Sequence, residues 1–260
     1  MVRSVRNIVA LGLLSCALAA AAHDLVMARS GTLPILLTAP HGGTEGVPNA
    51  SLRSRGTTAG DAHTIELMEG VASQLERLLG EKPYVVAARF SRKYIDANRS
   101  EGEAFEESPA ARQAYNAYHD AIRRFVEELR ERFPRGALLV DIHGQSEDPA
   151  VVHRGTQNGA TVSALLHSRG PEALIGPSSV LGVLQAKTFN VFPPNTPLGE
   201  PREDKRFNGG YTVRTYGSGK PDGIDALQIE VGSRLRTDPG FIAALGEGIA
   251  VFRRACLSQP

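Results

Sequence analysis

Charge imbalance is the first thing this 260-residue chain lacks: 29 Lys and Arg face 28 Asp and Glu, a formal net charge of +1. A surface built for nucleic acid or for a strongly anionic partner is therefore not expected, and any useful electrostatics must be local. Cysteine is nearly absent too, with Cys16 and Cys256 alone. Cys16 falls in an N-terminal leader, so Cys256 has no partner in the chain and no intrachain disulfide can form. On an apolar helix it reads as a plain buried thiol. No repeat period or low-complexity tract appears, and beyond the leader no second apolar run is long enough to span a bilayer, so no transmembrane helix is expected.

The leader occupies residues 1–22. Arg3 and Arg6 precede an apolar run from Ile8 to Ala19, and alanines continue to Ala22. That is the pattern of a secretory signal, with cleavage near Ala22 and an exported, periplasmic or extracellular product. Leu13-Leu14-Ser15-Cys16 offers a second route, a lipobox that would anchor the product through Cys16. Loss of two arginines and no acids turns the net charge to −1. The remaining 23–260, in a chain 42% hydrophobic, can bury a sizeable core as a single domain.

What is present centres on Pro34 to Gly43, a buried apolar strand that ends in His41, Gly42 and Gly43. Open α/β sheets bind ligands at the carboxyl ends of their strands. A second strand, Ala137 to His143, ends the same way, and alternation puts Asp141 on the face of His143, where it could hold the imidazole. A third, Leu227 to Val231, carries Gln228 and Glu230 on one face. A buried carboxylate there needs a cation, a metal-bound water or a sheet edge. Between these lie strands Leu25–Ala28, Tyr84–Ala88, Val151–Arg154 and Tyr211–Thr215. Helices are expected from near Asp61 to Leu79, through Ala114–Phe133, within Ser179–Lys187 and from Pro239, which Asp238 caps. A long loop, Ala39 to Ala59, adjoins His41, and loops of that length are usually functional. The alternation predicts a three-layer α/β/α fold on a mixed, mostly parallel sheet, with His41, His143 and Glu230 at one rim.

Two imidazoles and one carboxylate suit Zn²⁺ with a position left for water, and a further carboxylate can move the water's proton. Asp61 is preferred as third ligand because a helix N-terminus favours an ionised carboxylate; Glu45 competes. His63 is close enough in sequence to matter, and His153 lies on a strand leading toward the cleft.

Pro40-His41-Gly42-Gly43, Asp61 to Thr64, the block Ser91 to Arg99, Asp141 to Gly144 and Gln228 to Glu230 together resemble the N-formylglutamate amidohydrolase family. The matches run in order from Pro34 to Arg236. The resemblance implies a single catalytic domain over 23–260, similar in fold to the zinc carboxypeptidases and phosphorylase/hydrolase-like proteins. It implies His41 and His143 as zinc ligands, which Asp61 would complete as the preferred third, Glu230 as general base, and Arg99 as the group that binds a substrate carboxylate. Arg92, Asn98 and, more weakly, Arg214 join it as substrate-binding candidates; a guanidinium matches a carboxylate with two prongs. The export signal and the glycines at 42 and 43 depart from cytoplasmic members, so the expected substrate widens to N-acyl amino acids, γ-glutamyl compounds or peptides with a free carboxylate. His-Gly-Gly also resembles the oxyanion loop of serine esterases, but the chain has no Gly-x-Ser-x-Gly elbow. A non-catalytic binder of amino acids or peptides on the same fold is the other alternative. The oligomeric state is not legible.

Overall fold

The computed structural model describes residues 24–195 and 202–257. The leader and Cys16 lie outside them. The elements run β1 Val26–Arg29, β2 Ile35–Ala39, α1 Thr64–Leu79, β3 Tyr84–Ala88, α2 Glu101–Ala104, α3 Pro109–Arg132, β4 Leu138–Gln145 and β5 Val151–Gly155. Three short helices, α4 Ser163–Arg169, α5 Glu172–Ile175 and α6 Val180–Ala186, lead to β6 Asn190–Phe192. After them come α7 Tyr211–Tyr216, β7 Asp225–Gly232 and α8 Pro239–Phe252.

One seven-stranded sheet takes the order β1-β3-β2-β4-β7-β5-β6. Strands β3, β2, β4 and β7 are mutually parallel, whereas β1 and β5 run antiparallel to their neighbours β3 and β7. The expected mixed, mostly parallel sheet is what the chain forms. Because β2, β4 and β7 share a direction, the residues at their carboxyl ends meet on one rim.

Each inner strand is apolar on both faces, as burial on two sides requires. Leu138, Val140 and Ile142 of β4 join the core beneath α1 and α8, while Leu139 joins the one beneath α3. In α1, Leu67, Met68, Val71 and Leu75 make the buried stripe, and Gly80 ends the helix at φ 70°, its N–H on Glu76 O. In α3 the Ser108 hydroxyl caps the start, accepting from Ala111 N, and Pro109 takes the first turn.

Two expectations need correction. Tyr211–Thr215 is no strand: it folds as α7, with Thr212, Val213 and Tyr216 buried on one helical side. Its opening N–H groups find acceptors far off in sequence, Gly210 N on Gln228 Oε1 at 2.6 Å and Thr212 N on Asn98 Oδ1 at 2.8 Å. Helix α1 starts at Thr64 rather than near Asp61, because His63 sits at φ 65° and breaks the helical run.

Candidate metal centre

The site begins with β2, whose five residues are all buried and whose exit carries His41 into the interior at 1% exposure. The chain can turn there only closely. A Cβ on Gly43 would lie 2.2 Å from the backbone of Arg89, just past the end of β3. The long loop then returns to the rim, where Asp61 N donates to His41 O at 2.9 Å. Arg236 fastens the same corner. Its guanidinium donates to Val231 O, Ala62 O and Gln145 O at 2.7–3.0 Å, tying the ends of β7 and β4 to the residue after Asp61.

Three donors converge as a result. Asp61 Oδ2 is 3.3 Å from His41 Nδ1, 3.3 Å from His143 Nδ1 and accepts from Gly144 N at 3.1 Å. The ligand atoms of His41, Asp61 and His143 all lie within 4.8 Å of one another, and all three residues are buried. Each ring is anchored from behind: His41 Nε2 lies 2.7 Å from Asp96 Oδ1, and His143 Nε2 lies 3.0 Å from Asp141 Oδ2. Those carboxylates are themselves fixed, Asp141 by Thr38 Oγ1 at 2.6 Å and Asp96 by Arg92 Nε and Nη2 at 3.1 and 3.0 Å.

A carboxylate can only accept, so the Nε2 protons point to Asp96 and Asp141 and both Nδ1 atoms are free to present lone pairs toward Asp61. Two lone pairs and a carboxylate oxygen facing one point require a cation there, whether extra ring protons or a metal. The electrostatics agree. Burial would drive the His143 proton off, yet Asp141 and Asp61 hold its pKa well above the ordinary value. Burial would raise Asp61, but the hydrogen bonds from His143 and His41 keep it well below the carboxylate range. Carboxylate-backed histidines with convergent free nitrogens are the chemistry of a metal site, and the donor set fits a divalent ion such as zinc.

Glu230 stands beside this group. It is paired in register with His143 across β4 and β7, and its Oε1 accepts from Gln228 Nε2 at 2.9 Å. With β7 flanked by β4 and β5, a sheet edge does not account for this carboxylate. Burial, only partly offset by His143, pushes its pKa up to about 6.

The other named residues divide. Asn98 is at the centre, its Nδ2 3.3 Å from His143 Nε2. Arg92 is committed to Asp96 and lies 3.5 Å from Asp61 Oδ1. Arg99 is exposed and lines a cavity of about 200 Å³ with Arg53, Arg55 and Phe105. Arg214 is exposed on α7, its Nε turned back to Gly210 O. Glu45 is exposed, so Asp61 is the carboxylate that meets the histidines. His63 is exposed and faces Glu66. Sequence reasoning missed Asp96 as the partner of His41 and Arg236 as the clamp. The signal for Asp96 was a carboxylate inside the distinctive block Ser91 to Arg99; for Arg236 there was none.

Residues 106–236 match the N-formylglutamate amidohydrolase family, an interval that holds His143 and Glu230. Among solved structures the chain is similar to N-formylglutamate amidohydrolase from Ralstonia eutropha JMP134, at 18% identity over 89% of this chain and 97% of that one, TM-score 0.55. It is also similar to the gene product Atu2144 from Agrobacterium tumefaciens, at 18% identity over 89% of this chain and 94% of that one, TM-score 0.57. At such identity the likeness is one of fold. No curated protein matches.

Proposed function

Since the chain belongs to the N-formylglutamate amidohydrolase family and is a hydrolase, we propose that it cleaves the amide bond of an N-acyl amino acid, γ-glutamyl or peptide substrate carrying a free carboxylate. His41, Asp61 and His143 would hold Zn²⁺. The observation that carries this reading is the convergence of their three donor atoms, with both histidines anchored on Asp96 and Asp141. The ion, when bound, would supply Lewis acidity, drawing charge from the scissile carbonyl and easing the deprotonation of water.

The remaining work falls to the chain. Glu230, buried and with a pKa near 6, is suited both to take a proton from water and to return it to the departing amine. Gln228 holds one of its oxygens and keeps the other available. Arg99 docks the free carboxylate of the substrate, since Arg92 is engaged by Asp96 and Asp61 whereas no carboxylate among the described residues engages Arg99, and Asn98 joins the wall beside His143. The leader places the enzyme outside the cell interior, where N-acylated or γ-linked amino acids and short peptides are its substrates.

The test is a panel of N-acyl amino acids, γ-glutamyl amides and dipeptides scored for amine release, with metal content measured in parallel. One equivalent of zinc, activity lost with chelator and restored by zinc, and a Glu230→Gln protein that keeps the metal but loses roughly 10²-fold in turnover are expected. Hydrolysis indifferent to chelator, or full activity in Glu230→Gln, would sink the assignment.

A further inference from the structure

The buried amide of Gln228 has only one orientation open to it, and that orientation turns a donor on Glu230. Gln228 is 3% exposed; its Nε2 donates to Glu230 Oε1 at 2.9 Å, and its Oε1 accepts from Gly210 N at 2.6 Å. A backbone N–H can only donate, so the amide oxygen must face Gly210 and the NH2 must face the carboxylate. His153, beside Glu230 in register on β5, takes no part, its ring held by Asp148 and between Phe192 and Phe207.

The turn that supplies Gly210 N is itself held from outside the site. Half-buried Gln157 places its Nε2 2.7 Å from Gly209 O and 3.2 Å from both Asn208 O and Asn208 Oδ1, and its backbone N donates to Asn208 O at 2.7 Å. Gln157 and Asn158 lie at φ 52° and 55°. A glutamine in the left-handed region carries a steric cost that only surrounding contacts can enforce, and such positions gather at functional sites. Buried Glu203 enforces it here, accepting from Arg154 Nε, Thr156 N, Thr156 Oγ1 and Asn158 N at 2.5–3.1 Å. The turn also presses on the end of β5, where a Cβ on Gly155 would lie 2.5 Å from Phe207 O. Direct contacts therefore run without a gap from Gln157 through Asn208, Gly209, Gly210 and Gln228 to Glu230.

We propose that Gln228 and Gln157 are positioning residues for Glu230: Gln228 fixes the carboxylate, and Gln157 fixes the turn that fixes Gln228. This rests on Glu230 being the base of the reaction. Neither glutamine gains or loses a proton. Their effect is to hold Oε1 and leave Oε2 aimed at the water.

Methionine matches glutamine in length and offers no N–H, so it removes the contacts with little change in volume. In the zinc-loaded full chain, Gln228→Met should lower kcat about tenfold or more and Gln157→Met about threefold or more, each with KM within about twofold and zinc content unchanged. The double variant should be no slower than Gln228→Met alone, since Gln157 acts only through Gln228. Amide hydrogen exchange gives a readout that needs neither metal nor substrate. The Gly210 N–H should exchange slowly in the wild type and in Glu230→Gln, and about tenfold faster or more in both methionine variants.

Wild-type kcat in either methionine variant, a loss carried by KM, additive losses in the double variant, or a Gly210 amide that exchanges equally fast in all would overturn the proposal and leave Glu230 as the base untouched. Full activity of Glu230→Gln would remove the base and this proposal together, whatever the Gly210 amide shows.

Discussion

Arg99 and His119 carry opposite lessons about single residues. Arg99 is exposed beside Asn98, which touches His143, so removing its guanidinium should leave the fold alone and weaken the docking of a carboxylate substrate. Arg99→Ala is expected to lose about 2–5 kcal/mol in kcat/KM on a carboxylate-bearing substrate and little on its amide-capped analogue; equal loss on both would remove Arg99 from the site. His119 sits inside α3, its Nε2 donating to Ala97 O and its Nδ1 3.0 Å from the Tyr216 hydroxyl. Burial lowers its pKa to about 4. Between that value and the ordinary 6.5 the unfolded chain binds the extra proton, so stability falls as pH drops through this window, at about 1.4 kcal/mol per pH unit and up to roughly 3 kcal/mol in all. Glu230, raised to about 6, runs the other way over part of that range. The difference in denaturant unfolding between wild type and His119→Gln isolates the histidine: it should shrink steadily from pH 7 to pH 4.5, and a constant difference would show that His119 does not titrate on unfolding. His41, His143 and Glu230 were legible because each ends or interrupts an apolar run, and Asp61 because it stands just ahead of a helix. Asp96 as anchor, Arg236 as clamp and the His119–Tyr216 contact were not, because each depends on a partner brought near only by the fold.

At the scale of elements, the site depends on how β2 leaves the sheet. Gly42 and Gly43 carry the chain past the start of α1 and the end of β3, and a Cβ on Gly43 would fall on backbone atoms of Arg89 and Ala88 that cannot rotate away. Gly43→Ala should therefore destabilise the protein by about 1–3 kcal/mol, the usual cost of overpacking, and loosen zinc binding through displacement of His41. Thermal unfolding and a competitive zinc titration read the two effects; an unchanged melting temperature would mean the loop adapts freely. Strands β2, β4 and β7 were readable from their unbroken apolar runs, and α1 and α3 from their stripes. What the pattern could not yield was α7, since Tyr211 to Thr215 alternates like a strand and turns helical only because Asn98 and Gln228 receive its opening N–H groups. The pairing of β1 with β3 rather than with its chain neighbour β2 is likewise a long-range outcome.

For the whole molecule, the three donors bring together distant parts of the chain: the exit of β2, the end of a long loop and the end of β4. Around them Asp61, Asp96, Asp141 and Glu230 are all buried, an excess of negative charge that Arg92 answers in part. A divalent cation offsets that repulsion only in the folded state, because the unfolded chain scatters the donors across separations of 20 and 82 residues. Binding that is confined to the native state adds RT ln(1 + [L]/Kd), about 2.7 kcal/mol at a hundredfold excess over Kd. In a chain of this size each kcal/mol moves the melting temperature by roughly 2–4 °C, so zinc should raise it by about 5–10 °C over the chelated protein. The shift belongs to the donors and not to a surface site, which the same measurement on variants can tell. His41→Ala should be less stable than wild type in zinc and unresponsive to the metal, whereas Glu230→Gln should keep the full shift. A melting temperature that zinc and chelator leave unchanged in the wild-type protein would mean that the cation at this point is the pair of ring protons and not a metal.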